Sequence, residues 1–144
     1  MKRILHLALF FGLLFVLNPS DAVAQCEAGS YAEACIPKLK QGFNFVKSYK
    51  IDGEGGSKKK IEYSYVFAKG TQYMINMCTG TNDADGIVVS LYDSNRQLVS
   101  TNNANGKLYS TIAYPCNATG IYYITFTFNN SNNNCGGAVL GFKR

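Results

Sequence analysis

The chain has no tryptophan, and its single histidine is His6, which sits inside an apolar N-terminal run. Nucleophilic triads need an imidazole beside the serine or cysteine. A chain processed beyond residue 6 has none to offer. Imidazole is also the commonest metal ligand. Zinc sites built on cysteine use pairs two to four residues apart, and Cys26, Cys35, Cys78, Cys116 and Cys135 contain no such pair. Neither a catalytic residue nor a metal ligand is assigned, and no cofactor is expected. Negative charge is scarce as well, with 9 Asp+Glu against 14 Lys+Arg and a net charge of +5. The one basic cluster, Lys58-Lys59-Lys60, follows Gly53-Glu54-Gly55-Gly56-Ser57. It reads as a solvated loop, so nucleic acid is not an expected partner. Past the N-terminus no apolar run approaches the ~20 residues of a membrane span.

What is present first concerns compartment. Met1-Lys2-Arg3 is a short positive start, and Ile4 to Leu17 is apolar apart from His6 and Gly12. Ala22-Val23-Ala24 then forms a small-x-small cleavage site, so residues 1–24 read as a signal peptide. An uncleaved anchor is the competing reading. A lipoprotein is another, because Cys26 lies just beyond the cleavage region, although Gln25 stands where a lipidated cysteine wants a small residue. Cleavage removes Lys2, Arg3 and Asp21, leaving about 120 residues at about +4. That is one domain, secreted or periplasmic, and long enough to bury a core.

Two periods then follow. Glu27 to Ile36 reads as one short helix, with Ala28, Tyr31, Ala32 and Cys35 on one apolar face. Pro37 ends it, and Cys35 is expected to face the core. Residues 25–42 thus form a helix and linker, and 43–144 a β domain. From Phe43 the period is two. Phe43, Phe45, Tyr49 and Ile51 alternate, with Lys47 as an interruption. Ile61 to Phe67, Tyr73 to Met77, Ile87 to Leu91, Leu98-Val99, Leu108 to Tyr114, Tyr122 to Phe128 and Ala138 to Phe142 continue the pattern between Gly-, Asn- and Asp-rich turns. Short strands at this spacing predict an all-β fold, an antiparallel jelly-roll-like β-sandwich with one short N-terminal helix.

The cysteines suit an oxidising compartment and predict at least one disulfide. Their odd number leaves one over. Cys116–Cys135 is the leading pair and Cys78–Cys135 its rival. The leading pair closes a loop of about 20 residues, for roughly 3 kcal/mol. Against it, a hairpin of the Tyr122 and Ala138 strands would set those two cysteines toward opposite ends.

Three segments carry a family likeness. They are Tyr65-Val66-Phe67-Ala68-Lys69-Gly70-Thr71, Gly86-Ile87-Val88-Val89-Ser90-Leu91-Tyr92-Asp93, and Thr119-Gly120-Ile121-Tyr122-Tyr123-Ile124. Tyr63 to Phe142 thereby resembles the bacterial pre-peptidase C-terminal domain, a secreted β-sandwich found beside extracellular hydrolases. The N-terminal helical segment with Cys26 and Cys35 lies outside the motif, and a hydrolase domain to serve is not expected within a single domain of this length. The resemblance implies the sandwich and the exported setting. Adhesion, glycan binding or assistance to secretion are family-level expectations only.

Remaining candidates are few. Glu62 is the one acid inside a predicted sheet strand, and two carboxylates could run glycoside hydrolysis. Asn82-Asp83-Ala84-Asp85-Gly86 offers oxygen ligands but lacks a completing glutamate, and reads as a tight loop. Asn117-Ala118-Thr119 and Asn129-Asn130-Ser131 match the glycosylation pattern and read as turns. Tyr109 and Tyr123 fall opposite the core set and are the ligand-face candidates, since an exposed Tyr offers a ring and a polar tip. The leading expectation is a small non-enzymatic binding or adhesion module for a glycan, a cell-surface component or a protein. The alternatives are a carboxylate-dependent glycoside hydrolase and a structural envelope protein without a small ligand.

Overall fold

The computed structural model describes residues 25–81, 84–129 and 133–144. Residues 1–24, read above as a signal peptide, lie outside them, as do Asn82, Asp83 and residues 130–132. The chain opens with α1 (Ala28–Cys35) and a 3₁₀ turn (Ile36–Lys38) carrying Pro37. Then come β1 (Asn44–Asp52), β2 (Lys60–Phe67), β3 (Gln72–Cys78), β4 (Ile87–Tyr92) and β5 (Leu98–Thr101). A small hairpin, β6 (Asn103–Ala104) and β7 (Lys107–Leu108), precedes β8 (Thr111–Pro115), β9 (Gly120–Phe128) and β10 (Cys135–Lys143).

The long strands form two sheets, β1-β10-β3-β8 and β2-β9-β4-β5. Every described pairing is antiparallel. Successive strands β1, β2, β3 and β4 alternate between the sheets, and so do β8, β9 and β10. This is jelly-roll connectivity, as the strand spacing predicts. Between the sheets lie Ile51, Phe67, Ile75, Leu91, Ile124, Phe126 and Leu140, all essentially without solvent contact. Phe67 anchors one end of this core, stacked 3.8 Å from the Tyr73 ring and 4.7 Å from Tyr122.

β3 is buried on both faces, which a single alternating pattern does not reveal. Its second face carries Met74, Asn76 and Cys78 and lies under the N-terminal strap. The helix face expected from the sequence is the one buried, through Ala28, Ala32 and Cys35. β10 meets the helix with Gly137, where a Cβ would lie 2.1 Å from the Ala32 nitrogen. Only glycine permits that approach. The Asn76 amide donates to the Lys38 carbonyl at 3.4 Å, fastening the strap past the helix.

Two disulfides hold the strap, Cys26–Cys135 and Cys35–Cys78, with Cα separations of 5.5 Å and 5.6 Å. Bridges of this kind belong to extracellular or periplasmic proteins. The expected Cys116–Cys135 bridge is overturned, and Cys116 is a buried free thiol. The reason is strand length. Cys116 bonds Thr71 and Gly70 at one end of the sandwich, whereas Cys135 pairs with Asp52 at the other. The 9 residues of β9 run between those ends, a span of about 30 Å that no bridge crosses. The rival Cys78–Cys135 bridge is absent too, because register sets Cys78 beside Gly137. The N-terminal strap supplies the partners of both, Cys26 from just before the helix and Cys35 from its last turn. Bridging also occupies the Cys26 sulfur that a lipid would need. Among the described residues no helix is long and apolar enough to cross a membrane.

Candidate functional site

The two sheets meet along edge strands β1 and β2. At mid-length that seam is shut. Tyr49 and Tyr63 rings lie 4.8 Å apart, and the Tyr63 hydroxyl donates to the Lys50 carbonyl at 2.7 Å. The Tyr49 hydroxyl is buried there without a partner among the described residues. Burial, and then the neighbouring hydroxyls of Tyr65 and Tyr63, push its pKa up to about 12.

Beyond this lock the edges part into an open cleft of about 370 Å³. Phe45 and Val46 of β1 and Phe142 of β10 form one wall, and Tyr65 and Val66 of β2 the other. Thr71 and Tyr73 also line the cleft, with Arg144. The Tyr73 hydroxyl accepts the Ala68 N–H at 3.0 Å, and its ring is stacked on Phe67, so this part of the lining is fixed. Around the corner a shallower depression is lined by Ser64, Tyr65, Val66 and Ile121. Val66 and Ile121 oppose each other across β2 and β9. They are 59% and 47% exposed, and Phe45 is 46% exposed. These three large apolar side chains therefore border one continuous surface.

Phe45 was expected to point inward with Phe43, Tyr49 and Ile51. A bulge between Phe45 and Lys47 changes the parity of β1. Val46 packs against the core instead, and Phe45 turns out. Val66 and Ile121 were not singled out from the sequence. Their signal was there, since each is apolar at the solvent phase of a strand whose other phase fills the core.

Of the sequence candidates, Tyr109 stands apart from this surface, whereas Tyr123 shares the outer face of β9 with Ile121. Tyr109 is 47% exposed in the link between β7 and β8, with the Lys107 ammonium 5.2 Å from its ring. Its backbone is pinned by buried Asn102, whose amide donates to the Tyr109 carbonyl at 2.9 Å. Tyr123 lies on the outer face of the other sheet, opposite Ser64 and Tyr92. The Arg96 guanidinium covers it at 3.5 Å. The two tyrosines share neither an element nor a partner.

Glu62 belongs to that same outer face. It pairs with Arg96 at 2.8 Å and Lys60 at 3.9 Å, and accepts the Thr125 hydroxyl at 3.3 Å. The Arg96 hydrogen bond holds its carboxyl below the usual range. Among the described residues no aspartate or glutamate side chain lines the β1/β2 cleft. In the 82–86 loop, Asp85 accepts from the Asn133 amide at 2.6 Å, while Asn82 and Asp83 lie outside the described residues. Among the described residues no group of three or more His, Cys, Asp or Glu is placed to hold a metal.

No family model and no curated protein matches the chain. Among solved structures, it is similar to Aeromonas hydrophila PliG, a periplasmic inhibitor of g-type lysozyme. That likeness has 13% identity and a TM-score of 0.46, and covers 73% of this chain and 90% of that one. It is also similar to the pre-peptidase C-terminal domain of a collagenase from Bacillus anthracis. There the identity is 13% and the TM-score 0.40, over 70% of this chain and 87% of that one.

Proposed function

We propose that the chain is an exported, non-enzymatic β-sandwich that binds a protein partner through the open seam between β1 and β2. The observation that carries this reading is the gathering of Phe45, Val66 and Ile121, each about half exposed, around the cleft and the depression that adjoins it at Val66. Large apolar side chains scattered singly over a surface need no explanation, but contiguous ones mark interaction sites. Here they border a cleft partly lined by immobilised aromatic rings, so little side-chain freedom is lost on binding. Export rests on the Ala22-Val23-Ala24 site, with cleavage before Gln25, and on the two bridges.

A sugar ligand is the less favoured occupant. A glycan offers many hydroxyls, and the polar side-chain groups lining this cleft come from Thr71, Arg144 and the two tyrosines, one of which already bonds Ala68. Among the described residues no aspartate or glutamate side chain lines the cleft for hydrolysis by paired carboxylates, and Glu62, farther along the outer face of β2, is held in its ion pairs.

Photo-cross-linking in cells producing the full chain tests the reading. Benzoylphenylalanine in place of Val66 is expected to give a discrete protein adduct, and the same group in place of exposed Asn103 is not. Adducts from neither position, or equally from both, overturn it.

A further inference from the structure

We infer that the segment this seam accepts is an extended, acidic peptide strand that adds to the edge of β2 and places a bulky apolar side chain in the cleft. The inference rests on the seam being the binding surface.

Charge argues for the acid. Every residue lining the cleft comes from residues 38–51, 63–81 and 135–144, and those stretches contain no aspartate or glutamate. The basic groups beside it are spread on aromatic faces. Lys47 lies 5.9 Å from the Tyr49 ring, Lys143 lies 5.1 Å from Phe43, and Arg144 lies 6.0 Å from Phe142. Side chains laid on rings this way cover apolar surface while their charge stays in solvent. The acids of β2 and its approach, Glu54 and Glu62, are already matched to Lys58 and Arg96. The unmatched charged side chains at the cleft are thus basic, and they favour a negatively charged partner.

The backbone argues for a strand. Among the described residues β2 pairs on one side only, with β9. Its register runs without a bulge from Lys60↔Thr127 to Phe67↔Gly120, so its free edge is regular. β1, the other edge, is bulged between Phe45 and Lys47, and its Lys50 carbonyl is taken by Tyr63. A regular edge is a template for an added strand. The Tyr63 contact leaves Ser64 to Val66 open, before the edge ends at buried Phe67, enough for roughly three residues at ~3.3 Å each. Alternate side chains of that segment then face the cleft beside Tyr65 and the outer surface beside Val66 and Ile121.

The test is fluorescence anisotropy on the mature, oxidised protein. The probe is a labelled octapeptide of alternating glutamate and phenylalanine, and its counterpart carries lysine for glutamate. The glutamate peptide is expected to bind at least about tenfold more tightly than the lysine peptide, a gap of ~1.4 kcal/mol. Its affinity should fall as salt rises from about 0.05 to 0.5 M. Val66→Asp and, separately, Lys143→Glu with Arg144→Glu should each weaken it about tenfold. Both changes fall on exposed side chains at the seam, so neither threatens the fold. Equal binding of the two peptides, no binding of either, or indifference to both variants overturns the inference. If such a failure comes while Val66 still yields its cross-link, the seam stands and only the acidic-strand occupant falls.

Discussion

Replacing Gly137 with alanine adds one methyl at the place where the strap and the sheet touch backbone to backbone. The new Cβ would stand 2.1 Å from the Ala32 nitrogen, 2.5 Å from the Ala32 Cα and 2.6 Å from the Tyr31 carbonyl carbon. Ordinary contacts begin near 3.4 Å, so something must retreat by about 1.3 Å. β10 cannot, because it is held between β1 and β3. The helix cannot leave either, since Cys26 and Cys35 bridge it to Cys135 and Cys78 at its two ends. Overpacking of this kind costs about 1–3 kcal/mol. Tilting the helix also strips contact from Ala28 and Ala32, at ~0.8 kcal/mol per methylene-sized group. Together these give about 3 kcal/mol, or roughly 10 °C in Tm for a domain of this size. Gly29→Ala is the control. Its Cβ would meet only the Lys50 side chain, at 3.6 Å, and it should gain up to about 1 kcal/mol from helix propensity. Urea unfolding followed by far-UV circular dichroism reads both. A Gly137→Ala protein within about 0.5 kcal/mol of wild type would refute the docking argument.

Asn102→Ala should cost about 2–4 kcal/mol in the same assay, because the buried amide bonds Val89 N–H, Ile87 C=O and Tyr109 C=O, and alanine leaves all three stranded. Tyr49→Phe removes an unpartnered hydroxyl and should be as stable as wild type at neutral pH or up to about 1 kcal/mol more stable. The Tyr49 pKa is raised by burial to about 12. Its contribution is therefore intact below the unfolded value of about 10 and lost as pH rises toward the folded one, so the variant's urea midpoint should fall less steeply above pH ~10; parallel curves would contradict this. Cys35→Ala with Cys78→Ala opens a bridge spanning 43 residues and should cost about 4 kcal/mol. In the wild-type protein, peptide mapping should find Cys116 alkylated only after denaturation.

The strand series was legible because turns punctuate it and one phase is apolar from Ile61 to Phe142. The helix was legible for the same reason, with Pro37 in the turn that follows it. The disulfides were not. Their partners depend on which strand lies beside which, and the separation of Cys116 from Cys135 becomes visible only once β9 is seen to run the length of the sandwich. Phe45 misled because a single bulge residue, Val46, inverts the parity of everything before it. Tyr109 and Tyr123 were chosen by phase, which places a side chain on a face and says nothing of what covers it, as Arg96 covers Tyr123. The cleft joins β1, β2, β3 and β10, and no local pattern links those four segments.

The claim that Val66 and Ile121 serve binding is tested most directly by a variant in which stability and binding separate. Val66→Thr with Ile121→Thr, which keeps a β-branched side chain at both of these paired strand positions, carrying benzoylphenylalanine in place of exposed Phe45, should unfold in urea within about 1 kcal/mol of wild type. It should also lose the adduct that the Phe45 position gives in the otherwise wild-type chain. An adduct that persists, or a midpoint that collapses, contradicts the account.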